Sequence, residues 1–148
     1  MGEIFVQICK NKIFMTTLST WAIAQTIKVT IGVIRQKRFD FRWFVGTGGM
    51  PSSHAAGASC LATALGIEYG FASPLFALGA AFALVVMFDA QGVRRATGRQ
   101  ARILNKLMDD IYWQGKVQEQ RLRELVGHTP VEVIAGFLLG VAVAFLAY

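Results

Sequence analysis

Apolar residues gather along this chain in four long runs separated by short polar stretches. The first run, Ile13 to Ile34, is broken only by Thr and Ser residues, Gln25 and Lys28. The second, Ala55 to Phe71, is rich in Ala and Gly, residues that let membrane helices approach closely. Ser73-Pro74 opens a third, Leu75 to Phe88, with the proline near a first helical turn, where its missing N–H matters little. The last runs from Val131 to Tyr148. About 20 helical residues cross a bilayer's hydrocarbon core, so the pattern predicts about four transmembrane helices, the second of marginal length. Between the third and fourth runs the character changes. From Gln91 to Val126 the chain is charged, and Ile103, Leu104, Leu107, Met108 and Ile111 recur at helical spacing. That spacing predicts an amphipathic helix, which either lies along the interface or covers the bundle from one side. The expected fold is an all-α integral membrane helix bundle, one domain over residues 1–148.

Composition agrees with the pattern. Hydrophobic residues make up 54% of the chain and charged ones 16%, fewer charges than a soluble domain carries. Mean hydropathy is +0.46. The net charge of +6 would suit nucleic acid if the basic residues formed a separate domain. They alternate instead with membrane-length segments, which makes anionic lipid the expected partner and excludes nucleic acid. Cys9 and Cys60 are far apart and read as packing residues. No small-residue cleavage pattern follows the first run, so it is expected to stay as a span.

Loop charges predict the orientation. Arg35, Lys37, Arg38 and Arg42 follow the first span, and Arg94, Arg95, Arg99, Arg102, Lys106, Lys116, Arg121 and Arg123 follow the third. The connection around Tyr69 to Ser73 is almost uncharged. By the positive-inside rule both basic loops are cytoplasmic and both termini external, against which Lys10 and Lys12 stand.

This topology brings three polar clusters to one face. Gly48-Gly49-Met50-Pro51-Ser52-Ser53-His54 is a glycine-rich turn entering the second span, suited either to cradling a phosphate with free N–H groups or simply to capping a helix. Gly127-His128-Thr129-Pro130-Val131-Glu132 has the spacing of a capping box, and equally places Glu132 one turn beyond His128, where it would orient the imidazole as a nucleophile. Asp89, Arg94, Arg99, Gln100 and Asn105 form the third, with Asp89 placed to hold an arginine against phosphate or to remain part of a solvated charge face. Lys28 lies within a span, where a cation either snorkels to the headgroups or binds an anion. Arg42 precedes the glycine turn closely enough to reach the same anion.

The string from TGGMPSSHAAG through VVMFDAQGVRRATGRQ, followed by LRELVGHTPVEVIAGFLLG, resembles the divergent branch of the type 2 phosphatidic acid phosphatase family, related to vanadium haloperoxidases. The likeness spans roughly Gln25 to Leu146. Pro51-Ser52-Ser53-His54 is similar to that family's P-S-G-H motif, and His128 with Glu132 to the histidine and downstream acid of its last motif. The resemblance implies a phosphohistidine mechanism in which His128 attacks phosphorus and His54 protonates the leaving alkoxide. It also implies that Lys28 and Arg42 replace the basic first motif, and that Arg123 replaces the arginine before the nucleophile. The sequence departs from the pattern where Ser53 replaces glycine, where Leu122 occupies the expected arginine position between Arg121 and Arg123, and where Glu132 replaces an aspartate. The usual spacing of the first motif is also missing.

The expected activity is therefore a phosphoric monoester hydrolase acting without metal or cofactor on a phosphatidate-like or isoprenoid lipid phosphate. Its predicted substrate-binding set is Lys28, Arg42, Ser52, Ser53, Asp89, Arg94 and Arg123. The expected location is the inner or plasma membrane, as a possible homo-oligomer with its site on the cytoplasmic face. The alternatives are a Mg²⁺-dependent phospholipid transferase using Asp89, and a lipid-phosphate-binding or assembly protein that does not turn over.

Overall fold

Each of the four long helices in the computed structural model begins where the sequence supplies a side-chain acceptor for a first-turn amide. The structure describes residues 2–37, 49–92, 98, 100–105, 108 and 128–148, and all regular structure among them is helical. A short α1, Gly2–Lys10, leads into α2, Lys12–Gln36, with Asn11 between them accepting from the Phe14 amide at 3.0 Å. Ser52 caps α3, Ser53–Tyr69, and Ser73 caps α4, Pro74–Gln91, by accepting from the amides of Ala55 and Phe76. Thr129 caps α5, Pro130–Ala147. These acceptors satisfy amides that a helix start otherwise leaves unpaired.

α2 through α5 lie within a few residues of the four predicted spans. α4 and α5 are long and apolar enough to cross a membrane. α2 has the length, roughly 37 Å at the helical rise, but carries Lys28 and Gln25 among its buried residues. α3 has 17 residues, most of them buried. Of the predicted amphipathic segment, residues 100–105 are helical, with Ala101 and Asn105 buried and Ile103 exposed, and most of the remainder lies outside the described residues. The helix α1 had no counterpart in the sequence reading, because nine residues are too few to establish a period beside the longer runs.

α3 is the centre. It packs against α2, α4 and α5, whereas α2 and α4 flank it without approaching each other among the described residues. Small residues set these distances. A Cβ at Gly136 would collide with the Ser52 carbonyl, one at Gly140 with the Ser59 hydroxyl and the Ala56 carbonyl, and one at Gly79 would stand 2.9 Å from a Leu65 methyl. Gly136, Gly140 and Ala144 line one buried stripe of α5, and α3 answers with Ala55, Ala56, Ser59 and Cys60. Between apolar lipid tails, close contact of this kind holds helices together where a water-driven hydrophobic force is absent. The Ser59 hydroxyl donates to the Phe137 carbonyl at 3.1 Å and the Thr20 hydroxyl to Cys60 Sγ at 3.1 Å, pinning α5 and α2 to the same helix.

The helices alternate in direction. One end of the bundle therefore gathers the end of α2, the starts of α3 and α5 and the end of α4. The opposite end gathers α1, Lys12, Glu68, Tyr69, Leu75 and Tyr148.

Candidate functional site

His128 and Glu132 meet at the start of α5. The Thr129 hydroxyl accepts from the Glu132 amide at 3.4 Å, and the Glu132 carboxylate accepts from the Thr129 amide at 3.0 Å, closing the reciprocal capping box that the T-P-V-E spacing predicts. The same Oε2 lies 3.1 Å from His128 Nδ1. One carboxylate thus both closes the cap and contacts His128. Because an ionised carboxylate only accepts, this contact places the proton of a neutral His128 on Nδ1 and leaves Nε2 with its lone pair. His128 is 4% exposed, and its backbone amide donates to the Ala90 carbonyl at 3.1 Å, which ties it to the end of α4.

The P-S-S-H turn arrives at the same place. The Ser52 amide donates to the Glu132 carbonyl at 2.9 Å, and Ser52 and Ser53 are both buried. Two helix N-termini, those of α3 and α5, therefore meet with their amide-rich, partly positive ends at one site, an arrangement that favours an anion. Lys28 completes it from α2. It is buried. Its stem runs past Gly49, where a Cβ would stand 3.1 Å from Lys28 Cγ and 3.2 Å from Cδ. Gly49 has φ +92, a conformation that glycine adopts without strain.

The structure thus brings Lys28, Ser52, His128 and Glu132 together, while Ser53, next along the chain and buried, lines the apolar groove between α2 and α4. Asp89 is half-buried and adjoins Ala90, whose carbonyl receives the His128 amide. His54 stands on the first turn of α3 but is exposed, at the rim of an apolar groove of about 280 Å³ between α2 and α4 lined by Leu18, Trp21, Phe82 and Val86. Arg42, Arg94 and Arg123 lie outside the described residues.

Gly136 belongs to the site without having been singled out in the sequence, and Gly49 was named there only as a member of the Gly48 to His54 turn. Gly136 sits one turn beyond Glu132 on α5 and lets the Ser52 carbonyl come against the helix backbone. The G-x-x-x-G spacing of Gly136 and Gly140 was the available signal. Gly49 carried none beyond its place in a glycine-rich turn.

A family model described as the divergent PAP2 family matches residues 9–143. Over 155 residues the chain is 39% identical to the uncharacterized membrane protein YuiD of Bacillus subtilis (strain 168), an alignment covering 97% of this chain and 98% of the relative. No solved structure matches.

Proposed function

The chain belongs to the divergent PAP2 family and is a membrane protein, and from that membership we propose that it hydrolyses a membrane-borne phosphate monoester through a phosphohistidine. The observation that carries this reading is the His128–Glu132 contact of 3.1 Å in a buried setting. A carboxylate on Nδ1 raises the basicity of Nε2 and offsets the positive charge that a phosphorylated imidazole acquires.

In the first step Nε2 of His128 attacks phosphorus, an N–P bond forms and the ester P–O bond breaks. The departing alkoxide takes a proton from His54. Water, giving a proton to His54, then attacks phosphorus, the N–P bond breaks and inorganic phosphate leaves, restoring both histidines. Lys28, the first-turn amides of α3 and the Ser52 and Ser53 positions neutralise and orient the phosphoryl oxygens, with Arg42, Arg94 and Arg123 as further cationic partners. Placement and charge neutralisation dominate catalysis of this type. The substrate is a phosphatidate-like or polyprenyl phosphate reached from the cytoplasmic leaflet.

The test is phosphate release from a panel of lipid phosphates by the purified protein, with and without chelator, together with an acid-labile phosphoryl adduct mapped to His128. Chelator-sensitive transfer of the phosphate-bearing group to an acceptor, in place of phosphate release, would favour a Mg²⁺-dependent transferase built on Asp89. One observation favours a further reading, a lipid-phosphate-binding protein without turnover: His54 is exposed on the groove side whereas His128 is buried. Saturable binding with no phosphate release would establish that alternative.

A further inference from the structure

The end of the molecule opposite the candidate site has an amphiphilic pocket of its own. It measures about 940 Å³ and lies between α1 and the ends of α2, α3 and α5. Toward the end of the bundle its lining is mostly polar, with Gln7, Lys10, Lys12, Glu68 and Tyr69; further along α2 and α3 it is apolar, with Ile13, Phe14, Leu61 and Leu65, apart from Thr17. A soluble anion has no use for the second set, whereas a lipid needs both.

α1 explains how the rim meets lipid. Every residue from Gly2 to Lys10 is exposed, including Ile4 at 63% and Phe5 at 69%, and the helix touches only α2. A nine-residue helix with so little packing is marginal in water and requires a second surface for its apolar face. In a membrane protein that surface is the bilayer interface, and a helix lying there holds Lys10 and Lys12 at headgroup depth. Lys12 is further positioned by Tyr148, its Nζ lying 3.8 Å from the ring centroid.

We propose that this pocket binds the headgroup of an anionic phospholipid from the leaflet facing away from the candidate site, with its phosphodiester between Lys10 and Lys12. Among the side chains that line the pocket, two lysines stand against one carboxylate, that of Glu68. Tyr69 supplies a hydroxyl at the rim, the Tyr148 hydroxyl is buried and without a hydrogen-bond partner among the described residues and so is left to donate to the lipid, and the acyl chains follow Ile13, Phe14 and Leu65. The assignment accounts for the two lysines that oppose the positive-inside pattern, because here they serve as ligands.

The full chain, purified in detergent, is examined by native mass spectrometry with added phosphatidylglycerol or phosphatidylcholine. Wild type should retain one phosphatidylglycerol at least tenfold more tightly than phosphatidylcholine. The Lys10→Gln/Lys12→Gln double variant should lose that preference, and Lys37→Gln, altered at the opposite end, should keep it. Millimolar inorganic phosphate should not displace the lipid. Equal retention of both lipids, a preference that survives in the double variant, an equal loss in Lys37→Gln, or displacement by phosphate would each overturn the proposal. Should the double variant fail to fold, phosphatidylglycerol carrying a photoreactive acyl chain decides on the wild type. Cross-links at Leu61, Leu65 or Leu75 support the site, and cross-links confined to other faces overturn it.

Discussion

The amide of Ser52 donates to the carbonyl oxygen of Glu132 at 2.9 Å, joining the cap of α3 to the first turn of α5. A carbonyl has two lone pairs, so this bond and the one internal to α5 coexist. What permits the approach is Gly136, where any Cβ would fall on the Ser52 carbonyl. Gly136→Val should therefore force α3 and α5 apart, with destabilisation of about 1–3 kcal/mol, typical of overpacking. Thermal unfolding in detergent, with lipid-phosphate binding measured below the transition, checks this. Wild-type values for both would show that the crossing does not hold the site together.

Cap and chemistry separate at Thr129 and Glu132. Thr129→Ala removes the hydroxyl acceptor for the Glu132 amide and should destabilise by about 1 kcal/mol while leaving His128 its carboxylate. Glu132→Gln keeps an acceptor for the Thr129 amide but removes the charge beside Nδ1. It should leave the unfolding temperature near wild type and lower turnover sharply. The paired melting curves and phosphate-release rates decide whether the contact is only a cap.

The two histidines should respond differently to removal. His128→Ala should abolish both the phosphoryl adduct and turnover, because no other group in the mechanism replaces the nucleophile. His54→Ala should slow release from an alkyl phosphate by about 10²–10⁴-fold, the usual worth of a general acid. An aryl phosphate, whose leaving group departs without a proton, should restore much of that rate in His54→Ala and none in His128→Ala. Wild-type turnover by His128→Ala would remove the phosphohistidine reading.

Lys28 is a buried cation within a predicted span, a placement that opposes stability unless it is paired. Lys28→Met should weaken lipid-phosphate affinity by roughly 10–100-fold, the worth of one charge-assisted contact. Isothermal titration in detergent reads this directly. Unchanged affinity would leave Lys28 without a part in anion binding.

Orientation has a built-in probe. Cys9 is exposed on α1, and Ala72 is exposed in the turn between α3 and α4, at the same end of the bundle. Native Cys9 and an introduced Ala72→Cys should both react with an impermeant maleimide from outside the cell. Labelling only after the cytoplasmic side is opened would reverse the assignment of the site to that side.

The helices themselves were legible in the chain. Long apolar runs mark α2 to α5, and the serines of the Gly48 to His54 turn, the Ser73-Pro74 pair and Thr129 mark where α3, α4 and α5 begin, because capping and helix propensity are local matters. The pairing of His128 with Glu132 was equally readable, since residues four apart share one helix face. Tertiary structure decided what lies beyond one helix. That Ser52 bonds Glu132, that Ala90 receives the His128 amide and that Lys28 passes over Gly49 depend on how closely α3 approaches its neighbours, and side-chain volume at Gly136 and Gly140 controls that distance. The same packing turned His54 toward the groove while burying His128, a distinction that spacing along one chain does not contain because it depends on which faces of separate helices meet.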